Sequence, residues 1–142
     1  MNISDAGVNL IKQYEGLRLK KYDDGVGFMT IGYGHKILPN ETYDEITESD
    51  ADAILRKDLQ SAEKCVNASV KGNITQGQFD ALCSFSFNLG CAALGKSTLL
   101  AHVNAGDDLA AAQEFGKWIH GGGKVMPGLV KRRQAEMELF LS

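Results

Sequence analysis

The sequence has few of the residues that would indicate a disulfide framework, a metal centre or a membrane span. Its 142 residues include three cysteines, three histidines, two prolines and one tryptophan. Cys65, Cys83 and Cys91 lack CxxC spacing and the histidines are scattered, so we expect reduced, buried thiols, no metal and no cofactor. No stretch approaches the roughly 18 apolar residues of a membrane span, and the first residues lack the pattern of a signal peptide. These features predict synthesis in the cytosol and no stable membrane insertion.

An excess of positive charge is also absent. Fifteen Lys and Arg face eighteen Asp and Glu, a formal charge of -3, which argues against a protein that binds nucleic acid. The charge is uneven, with six acids and no base over residues 41–52, and five bases and no acid over residues 117–133. The basic run is either a solvated face or a surface that meets an anionic partner.

The pattern of the chain predicts one domain of the α+β class. Residues 4–15 have helical periodicity with Ser4 as a cap, and the glycine-rich segment 25–35 favours a small β-hairpin. A helix follows from Thr47 or Ser49 to about residue 65. A capping box formed by Thr75 and Gln78 begins another helix. Further helices are predicted near 97–104, 108–119 and from about 128, so the β structure is segregated to one end.

One motif matches a phosphate-binding loop. Residues 90–97, GCAALGKS, fit the pattern GxxxxGK[ST]. A working loop of this kind follows a buried strand and needs a second strand ending in Asp, within a parallel sheet. The segment before it is predicted as helix instead. We therefore interpret the match as coincidence, with Gly90 and Gly95 as turn residues.

A longer motif, EGLRLKKYDDGVGFMTIGYGH over residues 15–35, places polar groups where they can serve catalysis. Glu15 ends the first helix, and the negative end of a helix dipole favours a carboxyl group that acts as a proton donor. Asp24 enters the glycine-rich turn and Thr30 lies in the following strand. Two opposed carboxyl groups, one protonated and one ionised, can cleave a glycosidic bond. Alternatively, Asp23 or Asp24 only forms an Asx-turn.

This motif resembles the active-site signature of the phage-type lysozymes, or endolysins, of glycoside hydrolase family 24. The segments 78–90, 97–107, 110–136 and the closing LFL resemble that family's later blocks, in order. The resemblance implies a lysozyme-like fold in a single catalytic domain, residues 1–142. A β-rich lobe would span about 16–45, a helical lobe would span about 47–142 with the N-terminal helix, and a cleft would separate them.

The resemblance also implies an activity, hydrolysis of the β-1,4 bond between N-acetylmuramic acid and N-acetylglucosamine in peptidoglycan. Glu15 would be the general acid, and Asp24 with Thr30 would hold and activate the attacking water. Members with this set invert the anomeric centre, which requires carboxyl groups roughly 6.5 to 9.5 Å apart. Alignment on the following glycine favours Asp24 over Asp23 as the catalytic residue.

His35 has no partner at metal-ligand spacing. The resemblance implies a structural ion pair with Asp58. Such a pair would raise the pKa of His35, so its contribution to stability would be lost as the pH climbs through the raised value.

Sugar-binding positions are implied at Asn88, Ser97 and Thr98, whose amide and hydroxyl groups suit sugar hydroxyls and N-acetyl groups. The alternative is that Asn88 is a helix C-cap and Ser97 an N-cap. Arg132 or Arg133 would bring a guanidinium to Glu15.

The implied partner is peptidoglycan polysaccharide, with no nucleic acid, and the implied state is a monomer. A family member made in the host cytoplasm would reach the cell wall in the periplasm through a holin pore. Other hypotheses are a lytic transglycosylase, which needs no water, a non-catalytic wall-binding module, and a nucleotide-binding protein that relies on residues 90–97 alone.

Overall fold

The computed structural model describes all residues, 1–142. Seven α-helices, five short strands and one 3₁₀ turn follow one another along the chain. In order they are α1 Asp5–Glu15, β1 Arg18–Asp23, β2 Met29–Gly32, β3 His35–Lys36, α2 Glu48–Ser69, α3 Gln76–Leu89, α4 Cys91–Lys96, α5 Thr98–Asn104, α6 Asp108–Glu114, the 3₁₀ turn Phe115–Lys117, β4 His120–Gly121, β5 Lys124–Val125 and α7 Pro127–Leu141. The predicted α+β class is confirmed. None of the helices combines the length and apolar character that a bilayer crossing needs.

The chain divides into two compact units. The first, here called the β unit, is Ile11–Gln60, and the second, the helical unit, is Met1–Leu10 with Ser61–Ser142. Helices α1 and α2 each contribute residues to both. The β unit therefore extends beyond the expected lobe of residues 16–45, because it includes the end of α1 and the first half of α2.

The β unit contains a three-stranded antiparallel sheet in the order β1-β2-β3. Tyr22 pairs with Thr30, and Thr30 pairs with Lys36. The turn between β1 and β2 is closed by a bond from Asp24 N to Phe28 O, 3.0 Å. The hairpin expected over residues 25–35 therefore begins earlier, at residue 18, and the first glycines of that segment form its turn.

The core of the helical unit is built on α3 and α7, which pack together. Phe85 contacts the Phe115 ring edge-on at 5.8 Å between centroids, and Phe115 lies 5.6 Å from Phe140. Trp118 packs on Phe85 at 5.3 Å. The capping box of α3 is confirmed, because the Thr75 hydroxyl accepts from the backbone of Gln78 and the Gln78 side chain accepts from the backbone of Thr75.

A second hairpin, β4 with β5, is a strand pair that sequence analysis missed. His120 pairs with Val125, and Gly121 with Lys124. Gly122 and Gly123 turn the chain with positive φ angles of 59° and 80°. The run of three glycines at 121–123 is the sequence signal of this turn, because glycine adopts such angles without steric cost.

The segment 90–97, which matches the phosphate-loop pattern, consists of helix α4 with Gly90 before it and Ser97 after it, and this helix was not predicted from the sequence. Gly90 joins α3 to α4 with φ 96°. Gly95 lies within α4 and is therefore not a turn residue. Helix α3 precedes the motif where a phosphate loop would need a strand.

The expectation of three reduced thiols is wrong for two of them. Cys65, near the end of α2, forms a disulfide with Cys91, at the start of α4. No spacing motif announces this bond, because the tertiary fold brings together cysteines 26 residues apart. Cys83 is free and buried, and its burial raises the pKa of its thiol far above the ordinary value.

Candidate active site

Glu15 is the last residue of α1, at the position where Gly16 ends the helix. Gly16 has φ 73° and its N–H donates to Lys12 O at 3.1 Å. The Glu15 side chain is half-buried and lies against the backbone of Gly34: a Cβ atom built at Gly34 would be 3.0 Å from Glu15 Oε2. Gly34 also has φ 81°. The TIGYGH segment therefore requires glycine at position 34. Sequence analysis did not identify this requirement.

Asp24 follows β1 and is anchored by the turn that it begins. Its Oδ1 accepts from the backbone N–H groups of Val26 at 2.9 Å and Phe28 at 3.1 Å. These bonds orient the carboxylate and involve only one of its oxygens. Asp24 is half-buried, so a substrate or water can reach it.

Asp23, the neighbouring carboxylate, has a different environment. It is exposed, and its Oδ1 accepts from Gly25 N at 2.8 Å. This is the geometry of an Asx-turn. The turn thus uses both aspartates, and only the second is partly shielded from solvent.

Thr30, in β2, carries a buried hydroxyl that has no hydrogen-bonding partner in the protein. The residue is 4% exposed, and Oγ1 makes no hydrogen bond. Tyr22 and Lys36 lie opposite it on the neighbouring strands and therefore share its face of the sheet. A buried hydroxyl without a partner is costly. Thr30 Oγ1 therefore has the capacity to hold a water molecule or a substrate oxygen.

The β unit thus contains a carboxyl group at a helix end, an anchored carboxylate and an unpartnered hydroxyl, all from residues 15–30. These groups suit acid–base chemistry on a polar substrate. No group of three or more His, Cys, Asp and Glu side chains could hold a metal ion.

His35 lies between two carboxylates. Its Nδ1 is 2.7 Å from Asp58 Oδ2, and its Nε2 is 2.8 Å from Glu41 Oε1. Sequence analysis did not predict Glu41 as a partner of His35, because in the sequence Glu41 is only one of the six acids over residues 41–52. Burial lowers the pKa of His35, but the hydrogen bonds and charges of the two carboxylates outweigh burial, so the pKa is raised above 6.5. With both ring nitrogens engaged, His35 ties strand β3 to α2 and to the loop that precedes it.

Asn88 lies in the last turn of α3, half-buried. Its Oδ1 accepts a hydrogen bond from Arg133 Nη2. The alternative of a C-cap at Asn88 is wrong, because Gly90 is the C-cap of α3.

Ser97 and Thr98 begin α5 and differ in exposure. Ser97 is 8% exposed, and its hydroxyl accepts from Leu100 N at 3.0 Å and donates to Leu94 O at 2.7 Å. Ser97 is therefore the N-cap of α5, as the alternative interpretation of its sequence predicts. Thr98 is exposed to solvent.

Arg132 and Arg133 are buried in the helical unit rather than exposed on a basic surface. They are 4% and 1% exposed, and both bond to Glu136, which is fully buried. Burial raises the pKa of Glu136, against the effect of the two arginines and of Ser84. The surface expected from the basic run is therefore reduced to its lysines, at positions 117, 124 and 131.

Comparisons with known proteins identify the family to which the chain is similar. The family model described as Phage lysozyme matches residues 12–136. An endolysin of Acyrthosiphon pisum secondary endosymbiont phage 1 is 47% identical over 146 residues, which cover 100% of this chain and 99% of that protein. Among solved structures, the muramidase domain of SpmX from Asticaccaulis excentricus has a TM-score of 0.91 and 43% identity, covering 99% of this chain and 98% of that one.

One similar protein is much longer than this chain. The endolysin of Bacillus phage B103 is 49% identical over 144 residues, which cover 100% of this chain and 55% of that protein. The chain thus spans about half the length of this relative.

Proposed function

This chain belongs to the phage lysozyme family, and we propose that it is an endolysin that hydrolyses the β-1,4 bond between N-acetylmuramic acid and N-acetylglucosamine in peptidoglycan. Cleavage of the wall would lyse the host cell at the end of phage infection. The observation that carries the proposal is the likeness to an endolysin over 100% of this chain and 99% of that protein. The three polar groups of the β unit supply the chemistry that this activity needs.

Glu15 is the general acid in this proposal. Its carboxyl proton passes to the glycosidic oxygen as the bond from C1 to that oxygen breaks, so that the leaving sugar departs as an alcohol. The close approach of Gly34 to Glu15 Oε2 supports the role, because it restricts where the carboxyl group can lie. A fixed position is what proton transfer to one particular oxygen requires.

Asp24 and Thr30 hold and activate the attacking water. The water adds to C1 from the opposite face of the sugar, and its proton passes to Asp24, which gives inversion at C1. The turn fixes Asp24 through Oδ1, and Thr30 offers a buried hydroxyl without a partner in the protein. Starting from a β-linked glycan, the first product is the α-anomer.

Asn88 and Thr98 are the proposed sugar-binding residues of the helical unit. Asn88 is half-buried and Thr98 is exposed, so each can meet a glycan. The family resemblance implies the same role for Ser97, but its hydroxyl already donates to Leu94 O and accepts from Leu100 N. We propose that Ser97 supports sugar binding only by beginning the helix that carries Thr98.

Release through a holin pore and action as a monomer in the periplasm complete the proposal. The disulfide between Cys65 and Cys91 supports action in the periplasm, since such bonds persist in oxidising compartments. Expression in a host with and without a co-expressed holin tests the release step. Lysis without the holin would contradict it.

The activity is tested by the loss of turbidity of outer-membrane-permeabilised bacteria, with the released sugars analysed by mass spectrometry. We expect reducing muropeptides from the wild type and none from Glu15→Gln. Glu45→Gln is the matched control, because this substitution makes the same chemical change in the same unit. Glu45 is exposed to solvent. Anhydro sugars would indicate a lytic transglycosylase, and an inert protein that pellets with cell walls would indicate a binding module.

A further inference from the structure

Arg133 bonds to Asn88 in a way that fixes the orientation of its amide. An asparagine side chain offers an oxygen that accepts and a nitrogen that donates, whereas a guanidinium only donates. Arg133 Nη2 therefore bonds to Asn88 Oδ1 and not to Nδ2. With its oxygen directed at Arg133, Asn88 presents the NH₂ group to anything that approaches it from solvent.

Arg133 is itself held from two further sides. Its Nη1 donates to Glu136 Oε1 at 2.7 Å, and its guanidinium lies 5.4 Å from the centroid of the Phe85 ring. Glu136 also accepts from the Ser84 hydroxyl at 2.5 Å. Arg133 and Glu136 are 1% and 0% exposed, so the guanidinium has no room to turn.

Burying this charged network in the interior of the helical unit has a large desolvation cost. Arg132 and Arg133 both pair with the buried carboxyl group of Glu136, and Arg133 Nε is buried without a hydrogen-bonding partner. Apolar residues of similar volume often stabilise a core more than buried ion pairs do. Outside the buried network with Glu136, Arg133 donates a hydrogen bond to Asn88, which is half-buried.

We propose that Arg133 is a positioning residue for substrate recognition: held by Glu136, it fixes the carboxamide of Asn88 so that Nδ2 donates to the carbonyl oxygen of an N-acetyl group. This inference rests on the proposed function, in which Asn88 contacts the glycan. Both sugars of peptidoglycan carry an acetamido group, whose carbonyl is a strong acceptor. An amide that was free to flip would present its own oxygen half of the time and would repel that carbonyl.

The test compares two substrates, purified peptidoglycan and the same material after chemical N-deacetylation, and measures kcat and KM on each. The wild type should prefer the acetylated glycan. Arg133→Met should raise KM on the acetylated glycan by about two- to tenfold, the value of one hydrogen bond, with kcat within about twofold. Its preference for the acetylated glycan should fall by the same factor.

Three further variants separate positioning from packing. Asn88→Ala should lose the same preference, and adding Arg133→Met to it should lower the preference no further, because Arg133 acts only through Asn88. Arg133→Lys, which keeps a donor, should retain part of the preference. Ser84→Ala is the control, because it removes a hydrogen bond to Glu136 and leaves the bond between Arg133 and Asn88 in place. This variant should have a lower melting temperature and should keep the preference for the acetylated glycan.

The outcomes distinguish this inference from the proposed function. If the wild type is active and a folded Arg133→Met or Asn88→Ala variant keeps the full preference, the positioning role is wrong while the hydrolase activity stands. If the wild type releases no reducing ends from either substrate, the proposed hydrolysis is wrong and this inference with it.

Discussion

The turn after β1 places two adjacent aspartates in different environments, and we propose that only Asp24 acts in catalysis. Asp24→Asn should lower kcat by about 10²- to 10⁴-fold, the usual contribution of a general base, whereas Asp23→Asn should change it by no more than about twofold. Each substitution keeps an oxygen that can accept the backbone N–H groups of the turn, so the two variants differ in the position of the lost charge. Steady-state kinetics on purified peptidoglycan measures both. A loss of activity in Asp23→Asn alone would exchange the two roles.

His35 makes the stability of the β unit depend on pH. Because its pKa is raised in the folded protein, the charged imidazolium stabilises the fold fully below pH 6.5, and this contribution is lost as the pH rises through the raised value. Hydrogen bonds from Leu38 N and from His35 lower the pKa of Glu41, so its contribution is present above pH 4.5 and lost as the pH falls. The wild type should therefore exceed His35→Asn in stability most clearly between these limits.

Urea denaturation of the two proteins across pH 4 to 9 measures this difference, and NMR titration gives the pKa of His35 directly. Asp44→Asn is a suitable control, since Asp44 pairs with Lys21 on the surface and does not touch His35. A pKa of His35 at or below 6.5 would contradict the ion pairs.

At the scale of single elements, local signals predicted the long helices α2, α3 and α7, missed the short helix α4, and predicted the strands poorly. Helix α3 is specified by its own capping box and apolar face, all within residues 75–89. Strand β1, RLKKYD, is polar and nearly all exposed. It becomes a strand through distant partners, since Lys21 N bonds to Asp44 O at 3.1 Å and Ile46 N to Leu19 O at 2.8 Å. Such pairing leaves no periodic signal in the strand itself.

The disulfide between α2 and α4 should contribute strongly to stability. It closes a loop across a sequence separation of 26, for which loss of unfolded-state entropy predicts about 3 to 4 kcal/mol. The double variant Cys65→Ser/Cys91→Ser should lose about that much free energy of unfolding in urea. Reductant should destabilise the wild type and leave the double variant unchanged. The double variant is therefore the control for effects of the reductant other than reduction of this disulfide.

Counting thiols tests the same bond independently. The denatured wild type should expose one reactive thiol before reduction and three after it. Three thiols without reductant would mean that the bond does not form. In the native protein Cys83 should react slowly, because it is buried and its thiol pKa is raised.

For the whole molecule, the candidate site was predictable to the extent that it is local in sequence. Glu15, Asp24 and Thr30 fall within one short motif, so residue types and spacing indicated them as candidates, and the family resemblance supplied the role expected of each. The bond between Arg133 and Asn88 joins residues 45 apart, and nothing in either segment announces it. The basic run was misjudged for the same reason, because a sequence does not say which arginines a tertiary core will bury.

The net charge of the molecule makes a final prediction about wall binding. The chain carries -3 overall, and two of its positive charges, Arg132 and Arg133, are buried with Glu136. The field at the surface is therefore negative, and it should repel the carboxylates of a cell wall. Screening lengths shrink from about 30 Å at 0.01 M salt to about 10 Å at 0.1 M. Pelleting of inactive Glu15→Gln protein with purified walls should thus increase over this range. A decrease would mean that the exposed lysines of residues 117–131 dominate binding, and Lys131→Glu would then weaken it.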